Sequence, residues 1–292
     1  MTETAPNVNK NALLMFSKPP VPGMVKTRLT VQHGGPLSEE QAAQLFNCMM
    51  FDVLEVACQA LDRLEAQNEE ELKNDPSAVK QVYDVFICTT PADSVEKMRR
   101  LFEDSGTWPR EFKFLLDAGK TFDDHFDDAF EQIFAQGYST CLSVGGDIPI
   151  MPRDHIVQGF DWLHYFQGMY DDGGVVLAPC QACGTSLVGF TDDSGMDHQG
   201  VYYDTAGRPA LQAYIDKAGD SGVHIAFLDV VSDVDNSEDL AHTMTVMNAL
   251  EFCSKNQDLF IPWRTLQWVR GHGLTVTAPP NDDFDSREAI DA

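Results

Sequence analysis

Basic residues are scarce in this chain. Its 292 residues include 20 Lys and Arg against 46 Asp and Glu, which gives a formal net charge of −26. Sequence-independent binding to nucleic acid, or to an anionic membrane surface, needs clustered Lys and Arg. We therefore expect neither partner. A small anion such as a nucleotide is still compatible with this charge, because a local basic loop can hold it.

Long apolar runs and disulfide-like cysteine patterns are lacking too. No segment approaches the roughly 20 apolar residues that a membrane-spanning helix needs, and residues 1–10 are polar, without an apolar signal core. The seven cysteines are odd in number and sit mostly in apolar runs, which is atypical of a secreted disulfide framework. We expect a soluble cytoplasmic protein with reduced thiols.

Several common site signatures are missing. The chain has no HExxH, no GxSxG, no Rossmann GxGxxG and no Walker A spacing. Cys180 and Cys183 have the spacing of half a zinc site but no second pair, so we expect no bound zinc. Asp123, Asp124 and His125 could bind a metal, although their helical period favours the surface of an amphipathic helix.

Strand-like and helix-like segments alternate along the chain. Ser38, with Gln41 three residues later, fits a capping box that begins a long helix, and residues 65–80 look like its solvated end and a loop. The expected strands cover 12–16, 82–88, 112–116, 141–144, 175–178, 186–190 and 223–230; the expected helices cover 38–61, 93–104, 122–136, 152–166, 209–218, 237–252 and 262–269.

This alternation predicts an α/β fold in which a mostly parallel sheet lies between two helical layers. No internal linker is long enough to divide the chain. We expect one domain over residues 11–277, a flexible segment over 1–10 and an acidic mobile tail over 278–292.

Ligands of open α/β sheets bind beyond the carboxyl ends of the strands, so the loops after strands matter most. The loop that follows the first strand, residues 18–29, contains Lys18, Lys26 and Arg28 and is stiffened by prolines. Fixed N–H donors with Lys and Arg are suited to binding phosphate. The alternative is a solvated basic turn. We expect Lys26 and Arg28 to lie in an exposed loop.

Two further loops carry carboxylates. Asp147, in the sequence GGDIP of residues 145–149, follows a short buried strand and is placed to hold Mg²⁺ or Mn²⁺; the alternative is a turn or helix-cap aspartate. Asp233 and Asp235 flank Val234 and could point the same way, so that either could complete a metal site with Asp147. Asn236 or Ser237 is a good N-cap for the helix that follows.

Together these motifs resemble those of one family. The sequences FSKPPVPGMVKTRL (16–29), GGDIP (145–149) and DVDNSEDL (233–240) are similar to the opening, GxDxP and closing motifs of the bacterial DUF2064 transferases, also called radical-SAM/selenodomain-associated transferase 1. Their order and rough spacing match as well. The resemblance implies the GT-A fold of the nucleotide-diphospho-sugar transferases, with a nucleoside phosphate and Mg²⁺ or Mn²⁺ bound.

The resemblance also implies site residues by position. The nucleotide phosphates would be bound through Lys18, Gly23, Lys26, Thr27 and Arg28. The metal would be held by Asp147 and, as second ligand, by Asp235. Lys26, Arg28 and Asp147 are the predicted catalytic residues.

Two stretches depart from the family pattern. Residues 182–185 read ACGT where members usually carry DGGY, so an aspartate is missing there. Residues 122–126 read FDDHF in place of an LGERM-like segment, which puts His125 where an arginine is expected.

We expect a metal-dependent transferase that acts on a nucleoside triphosphate or nucleotide-sugar and an unidentified small-molecule acceptor. Nucleotidyl transfer is preferred, because the cationic loop resembles the triphosphate loop of nucleotidyltransferases; its KTRL element also resembles 2-phospho-lactate guanylyltransferase. The alternatives are a glycosyltransferase that uses an NDP-sugar and, given the missing aspartate, a degenerate nucleotide-binding protein. The base, the acceptor and the oligomeric state are left open.

Overall fold

The computed structural model describes residues 8–277, in which strands and helices alternate. The strands are β1 Val8–Phe16, β2 Lys80–Thr89, β3 Phe112–Leu116, β4 Thr140–Val144, β5 Gly174–Pro179, β6 Thr185–Thr191 and β7 His224–Phe227. The helices are α1 Glu39–Asn74, α2 Ala92–Asp104, α3 Phe122–Phe134, α4 Arg153–Met169, α5 Ala210–Ser221, α6 Ser237–Cys253 and α7 Trp263–Gly271.

The strands form one sheet in the order β3-β2-β1-β4-β6-β5-β7. Neighbouring strands are parallel except for β6, which is antiparallel to both β4 and β5. The predicted mostly parallel sheet is therefore confirmed. Because β2 and β4 pair with opposite edges of β1, the direction of winding reverses between β1 and β4. Such a switch point is where α/β sheets bind ligands.

Helices cover both faces of the sheet. Leu13 and Met15 of β1 pack in a core with α1, α2 and α4. The alternate residues Ala12 and Leu14 pack on the other face with α3 and α5. A third cluster packs α6 and α7 against the first half of α1. The three-layer α/β/α architecture is thus confirmed, and the alternation of β1 side chains accounts for both cores.

One element boundary in the first part of the chain agrees with expectation and one differs. Helix α1 ends at Asn74, within the residues expected to hold a helix end and loop, and the buried Asn68 ties this end of the helix to β2. Its side-chain amide donates to the carbonyl of Val79 at 3.0 Å and accepts the N–H of Gln81 at 2.8 Å. Strand β1 begins at Val8, since residues 8–10 pair with residues 80–82 of β2. A flexible segment through residue 10 is therefore wrong for residues 8–10.

Strand β7 is shorter than expected and ends at Phe227. The chain beyond it still follows β5, since the N–H groups of Leu228 and Val231 donate to the carbonyls of Leu177 and Pro179. The segments predicted to be mobile, residues 1–7 and 278–292, lie outside the described residues. We infer that residues 8–277 form a single domain, because one sheet and its helical layers include elements from both ends of this range.

Candidate active site

Three loops meet at the switch point between β1 and β4. Lys26 lies in the loop after β1, Asp147 lies three residues beyond β4, and Asp235 lies in the loop between β7 and α6. The N–H of Val234 donates to the carbonyl oxygen of Asp147 at 3.0 Å, which ties the second loop to the third. Residues far apart in the sequence are thereby brought to one point at the carboxyl edge of the sheet.

Lys26 lies where the three loops meet. Its Nζ is 2.5 Å from Oδ2 of Asp147 and 3.0 Å from Oδ1 of Asp235, and its side chain is only 8% exposed. Burial by itself lowers the pKa of Lys26, but the attraction of both carboxylates outweighs burial and holds that pKa above its ordinary value. The expectation of an exposed Lys26 is wrong, because its side chain turns inward to these carboxylates.

The other predicted phosphate-binding residues are arranged differently around the loop. Lys18 is exposed and lines the cavity described below. Arg28 is 71% exposed and reaches Oδ2 of Asp235 at 3.2 Å. Gly23 adopts a left-handed conformation at φ 76°, and the carbonyl of Thr27 accepts the N–H and hydroxyl of Thr30. Gly23, Thr27 and Arg28 lie outside the walls of the cavity.

Asp233 joins the two carboxylates that pair with Lys26 in a cluster of three. One oxygen each of Asp147, Asp233 and Asp235 lies within 4.8 Å of the others. Burial, followed by repulsion from Asp147 and Asp235, raises the pKa of Asp233 to about 6. The family resemblance implies Asp235 as the second ligand, and the structure adds Asp233 to the cluster. The sequence signal for Asp233 is its spacing of two residues from Asp235 in an extended segment.

Asp233 and Asp235 are each held by a neighbouring side chain. The amide of Gln181 donates to the carbonyl of Asp233 at 2.8 Å and to its Oδ1 at 2.5 Å. Asn236 caps α6, and Oδ2 of Asp239 accepts the N–H of Asp235 at 3.0 Å. The two carboxylates therefore enter the cluster from a fixed backbone.

Cys180 lies beside this cluster, and Cys183 lies in a different environment. Cys180 is buried with its Sγ 3.8 Å from Oδ2 of Asp233, and burial raises the pKa of its thiol to about 12. Cys183 is exposed and left-handed, at φ 61°. Gln181, which holds Asp233, directly precedes the stretch of residues 182–185 that stands in place of the family's DGGY segment.

A cavity of roughly 340 Å³ opens beside the carboxylates. Lys18, Lys26, Asp147 and Asp233 contribute its charged groups. Sequence reasoning missed most of the other wall residues, because they come from six separate parts of the chain: β1, α1, α3, β4, β6 and the loop before α5. They include Phe16, Phe46, Ser143, Thr185, Ser186, Phe122, Phe126 and Tyr202.

Asp123 positions part of the aromatic wall. Its carboxylate accepts the backbone N–H groups of Gly200, Tyr202 and Tyr203 at 2.9, 3.0 and 3.3 Å. Asp123 is 2% exposed, so its expected place on an amphipathic surface is wrong. The Tyr202 ring packs edge-on against Phe122, with ring centroids 4.9 Å apart.

A second cavity, of roughly 170 Å³, adjoins the first through Phe16, Lys18 and Phe122. Its walls also include Thr89 and His125. Nδ1 of His125 is 2.6 Å from Oδ1 of the buried Asp117 carboxylate. The two cavities thus share a wall at the carboxyl end of β1.

Comparison with known proteins supports the resemblance drawn from the motifs. Residues 76–205 match the model of the family DUF2064, described as an uncharacterised protein conserved in bacteria. The resemblance to DUF2064 is confirmed. The matched residues include Asp147, whereas Lys26 and Asp235 lie outside them. The comparison with functionally curated proteins gave no match.

Solved structures share the fold. A protein from Desulfovibrio desulfuricans G20, assigned as a nucleotide-diphospho-sugar transferase, is 21% identical with a TM-score of 0.65, over 91% of this chain and 96% of that chain. This likeness confirms the predicted GT-A type of fold. A cytidylyltransferase from Leptospira borgpetersenii gives 11% identity and a TM-score of 0.47, over 93% of this chain and 100% of that chain.

No helix in residues 8–277 combines the length and the apolar character needed to cross a membrane.

Proposed function

We propose that this protein is a divalent-metal-dependent nucleotidyltransferase whose substrate is a nucleoside triphosphate. The observation that carries the proposal is the meeting of Lys26 with Asp147, Asp233 and Asp235 at the switch point of the sheet. Open α/β sheets bind their ligands at this place. A lysine beside carboxylates is the arrangement that a polyphosphate and its metal ion require.

The carboxylate cluster fits Mg²⁺ or Mn²⁺. Its three acidic side chains offer only hard oxygen donors, and their oxygens are close enough to share one ion. Asp147 and Asp235 would be the protein ligands, with Asp233 as a third. A bound ion would neutralise charge on the phosphate oxygens and on the leaving group.

The basic residues would bind and orient the phosphates. Lys18 and Lys26 line the cavity from the same loop and would donate to phosphate oxygens. Arg28, at the exposed rim, would neutralise charge from outside. These residues would act by position and electrostatics, so the chain itself need not supply a covalent nucleophile.

Nucleotidyl transfer is preferred over glycosyl transfer because two lysines of one loop face the cavity, which suits a triphosphate. The released product distinguishes the two reactions. The purified protein should be incubated with Mg²⁺, each of ATP, GTP, CTP and UTP, and a panel of phosphorylated and hydroxylated acceptors. We expect pyrophosphate release. Release of a nucleoside diphosphate from an NDP-sugar would favour the glycosyltransferase, and binding without turnover would favour the degenerate protein.

A thermal-shift experiment identifies the nucleotide first. A ligand that binds only the folded state raises the unfolding free energy by about 2.7 kcal/mol at a hundredfold excess over its Kd. We expect at least one nucleoside triphosphate to raise the melting temperature more with Mg²⁺ than without it. A uniform lack of response to nucleotides and NDP-sugars would contradict the proposal.

A further inference from the structure

The Lys26 ammonium lies where the carboxylates would meet a metal ion. It is within hydrogen-bonding distance of Asp147 and Asp235, and the oxygens of these residues and Asp233 lie within 4.8 Å of one another. A cation with three donors is already bound by two of the three carboxylates. A metal ion coordinated by the same oxygens would have to displace it, because both cations would compete for the same lone pairs.

The backbone helps to hold Lys26 in this position. Its φ of 48° places it in the left-handed region, which is uncommon for a residue with a side chain. The turn Thr27–Leu29 begins directly after it, and Leu29 is fully buried. Conformations of this kind persist only where the surroundings hold them, and they cluster at functional sites.

We propose that Lys26 acts as an internal cation that occupies the metal position until nucleotide binds. On this proposal, which rests on the proposed function, a triphosphate draws the Lys26 ammonium from Asp147 and Asp235 to its own oxygens. The carboxylates then become free for the metal ion. Metal alone therefore binds weakly, and nucleotide and metal bind cooperatively, each increasing the affinity of the other by the same factor.

Charge balance supports this exchange. The cluster of three carboxylates has two cations beside it: Lys26, which pairs with Asp147 and Asp235, and Arg28, which pairs with Asp235 at the exposed rim. If Lys26 kept its place, a triphosphate in the cavity would lie beside carboxylates with little cationic compensation. If Lys26 moves to the phosphates as the metal arrives, both sets of oxygens remain paired with a cation. The Lys26 side chain is buried, and a buried charge needs such a partner of opposite charge.

The test is the binding of Mn²⁺ alone, measured by calorimetry and by the electron paramagnetic resonance signal of free Mn²⁺. The variants are Lys26→Met and Lys26→Gly; glycine suits the left-handed backbone. Lys18→Met is the matched control, since it removes the same charge from the same loop at an exposed position. We expect Lys26→Met and Lys26→Gly to bind Mn²⁺ roughly tenfold or more tightly than wild type, and Lys18→Met to change far less.

Circular dichroism and thermal unfolding establish that each variant is folded. Mn²⁺ binding that is equal to or weaker than wild type in both folded Lys26 variants would overturn the role of Lys26, while Mn²⁺ binding to wild type would leave the metal site standing. Failure of every protein to bind Mn²⁺ would overturn the metal site itself and this inference with it. Adding Asp147→Asn to Lys26→Met should abolish the increase in Mn²⁺ affinity, which would assign the bound ion to this cluster.

Discussion

At the scale of single residues, the candidate site depends on the burial of Lys26. The two carboxylates that pair with its ammonium lie 121 and 209 residues further along the chain. The sequence predicts a basic loop after the first strand, but contacts over such separations are set by tertiary packing. Lys26 and Arg28 belong to one KTRL element, but Lys26 is buried at the carboxylates whereas Arg28 is exposed, so we expect different roles for them.

We predict that Lys26→Met weakens binding of the preferred nucleoside triphosphate more than Arg28→Met does. Lys26 lines the cavity, whereas Arg28 is 71% exposed at its rim. A lost hydrogen bond to a charged group costs about 1.5–3 kcal/mol, or roughly tenfold or more in affinity. Calorimetric titration with Mg²⁺ present measures both variants. Equal losses in the two would contradict the distinction between a buried and a rim cation.

His164 provides a pH-dependent prediction. Its Nε2 is 2.8 Å from Oδ1 of Asn11, and burial lowers the pKa of the imidazole to about 4. Above about pH 6.5 the imidazole is neutral in both the folded and the unfolded chain. Between about pH 6.5 and 4 the unfolded chain binds a proton that the folded chain excludes. The free energy of unfolding therefore falls as the pH is lowered, by at most about 3 kcal/mol.

Denaturant unfolding of wild type and His164→Gln at several pH values measures the contribution of His164 to the free energy of unfolding. Glutamine can still donate to Asn11 but does not titrate. We expect the stability difference between the two proteins to shift in favour of the variant as the pH falls from about 6.5 to 4. A difference that stays constant over this range would show that His164 does not titrate as described.

At the scale of elements, local sequence patterns predict those strands and helix ends that depend on neighbouring residues. The third strand is expected and found at residues 112–116, and the capping box of Ser38 with Gln41 is present. The end of α1 at Asn74 falls within the expected residues 65–80, but the burial of Asn68 that holds it has no apolar pattern to predict it. The start of β1 at Val8 is missed, because polar residues 9–11 join the strand through pairing with β2.

We predict that Ser38→Ala destabilises the protein by about 1 kcal/mol. The Ser38 hydroxyl accepts the N–H of Gln41, and the Gln41 side chain accepts the N–H of Ser38. Alanine removes the first of these bonds and leaves an N–H of the first turn without its cap. Urea denaturation of Ser38→Ala, with Ser38→Asn as the matched variant that keeps a capping oxygen, measures the effect. An equal loss in both variants would rule out capping as its cause.

At the scale of the whole molecule, the fold could be predicted further than the site. Alternating strands and helices predict the three layers and the sheet edge at which the loops meet. They do not predict the aromatic wall, since Phe16, Phe122 and Tyr202 come from β1, α3 and the loop before α5. They also leave Asp233 and Asp235 as alternative metal ligands. The hydrogen bond from Gln181 that holds Asp233 near Asp147 depends on tertiary packing, which the sequence pattern does not show.

The net charge of −26 predicts a salt effect on the whole molecule. Self-repulsion between acidic groups destabilises the compact state, and salt screens it. We expect the melting temperature to rise between about 0.02 M and 0.5 M NaCl, where the Debye length falls severalfold. KCl should act in the same way, since the effect is one of screening. A melting temperature that falls with both salts would mean that ion pairs outweigh the net repulsion.

If the carboxylate cluster holds a metal ion that contributes to nucleotide binding, nucleotide affinity depends on Mg²⁺ through Asp147. The affinity of the preferred nucleoside triphosphate should be determined by calorimetry with and without Mg²⁺, for wild type and for Asp147→Asn. The asparagine keeps the shape of the side chain and removes its charge, while complexation of Mg²⁺ by nucleotide in solution is the same for both proteins. We predict that Mg²⁺ raises the affinity of wild type and leaves that of Asp147→Asn unchanged. An equal increase in the two proteins would contradict the metal site.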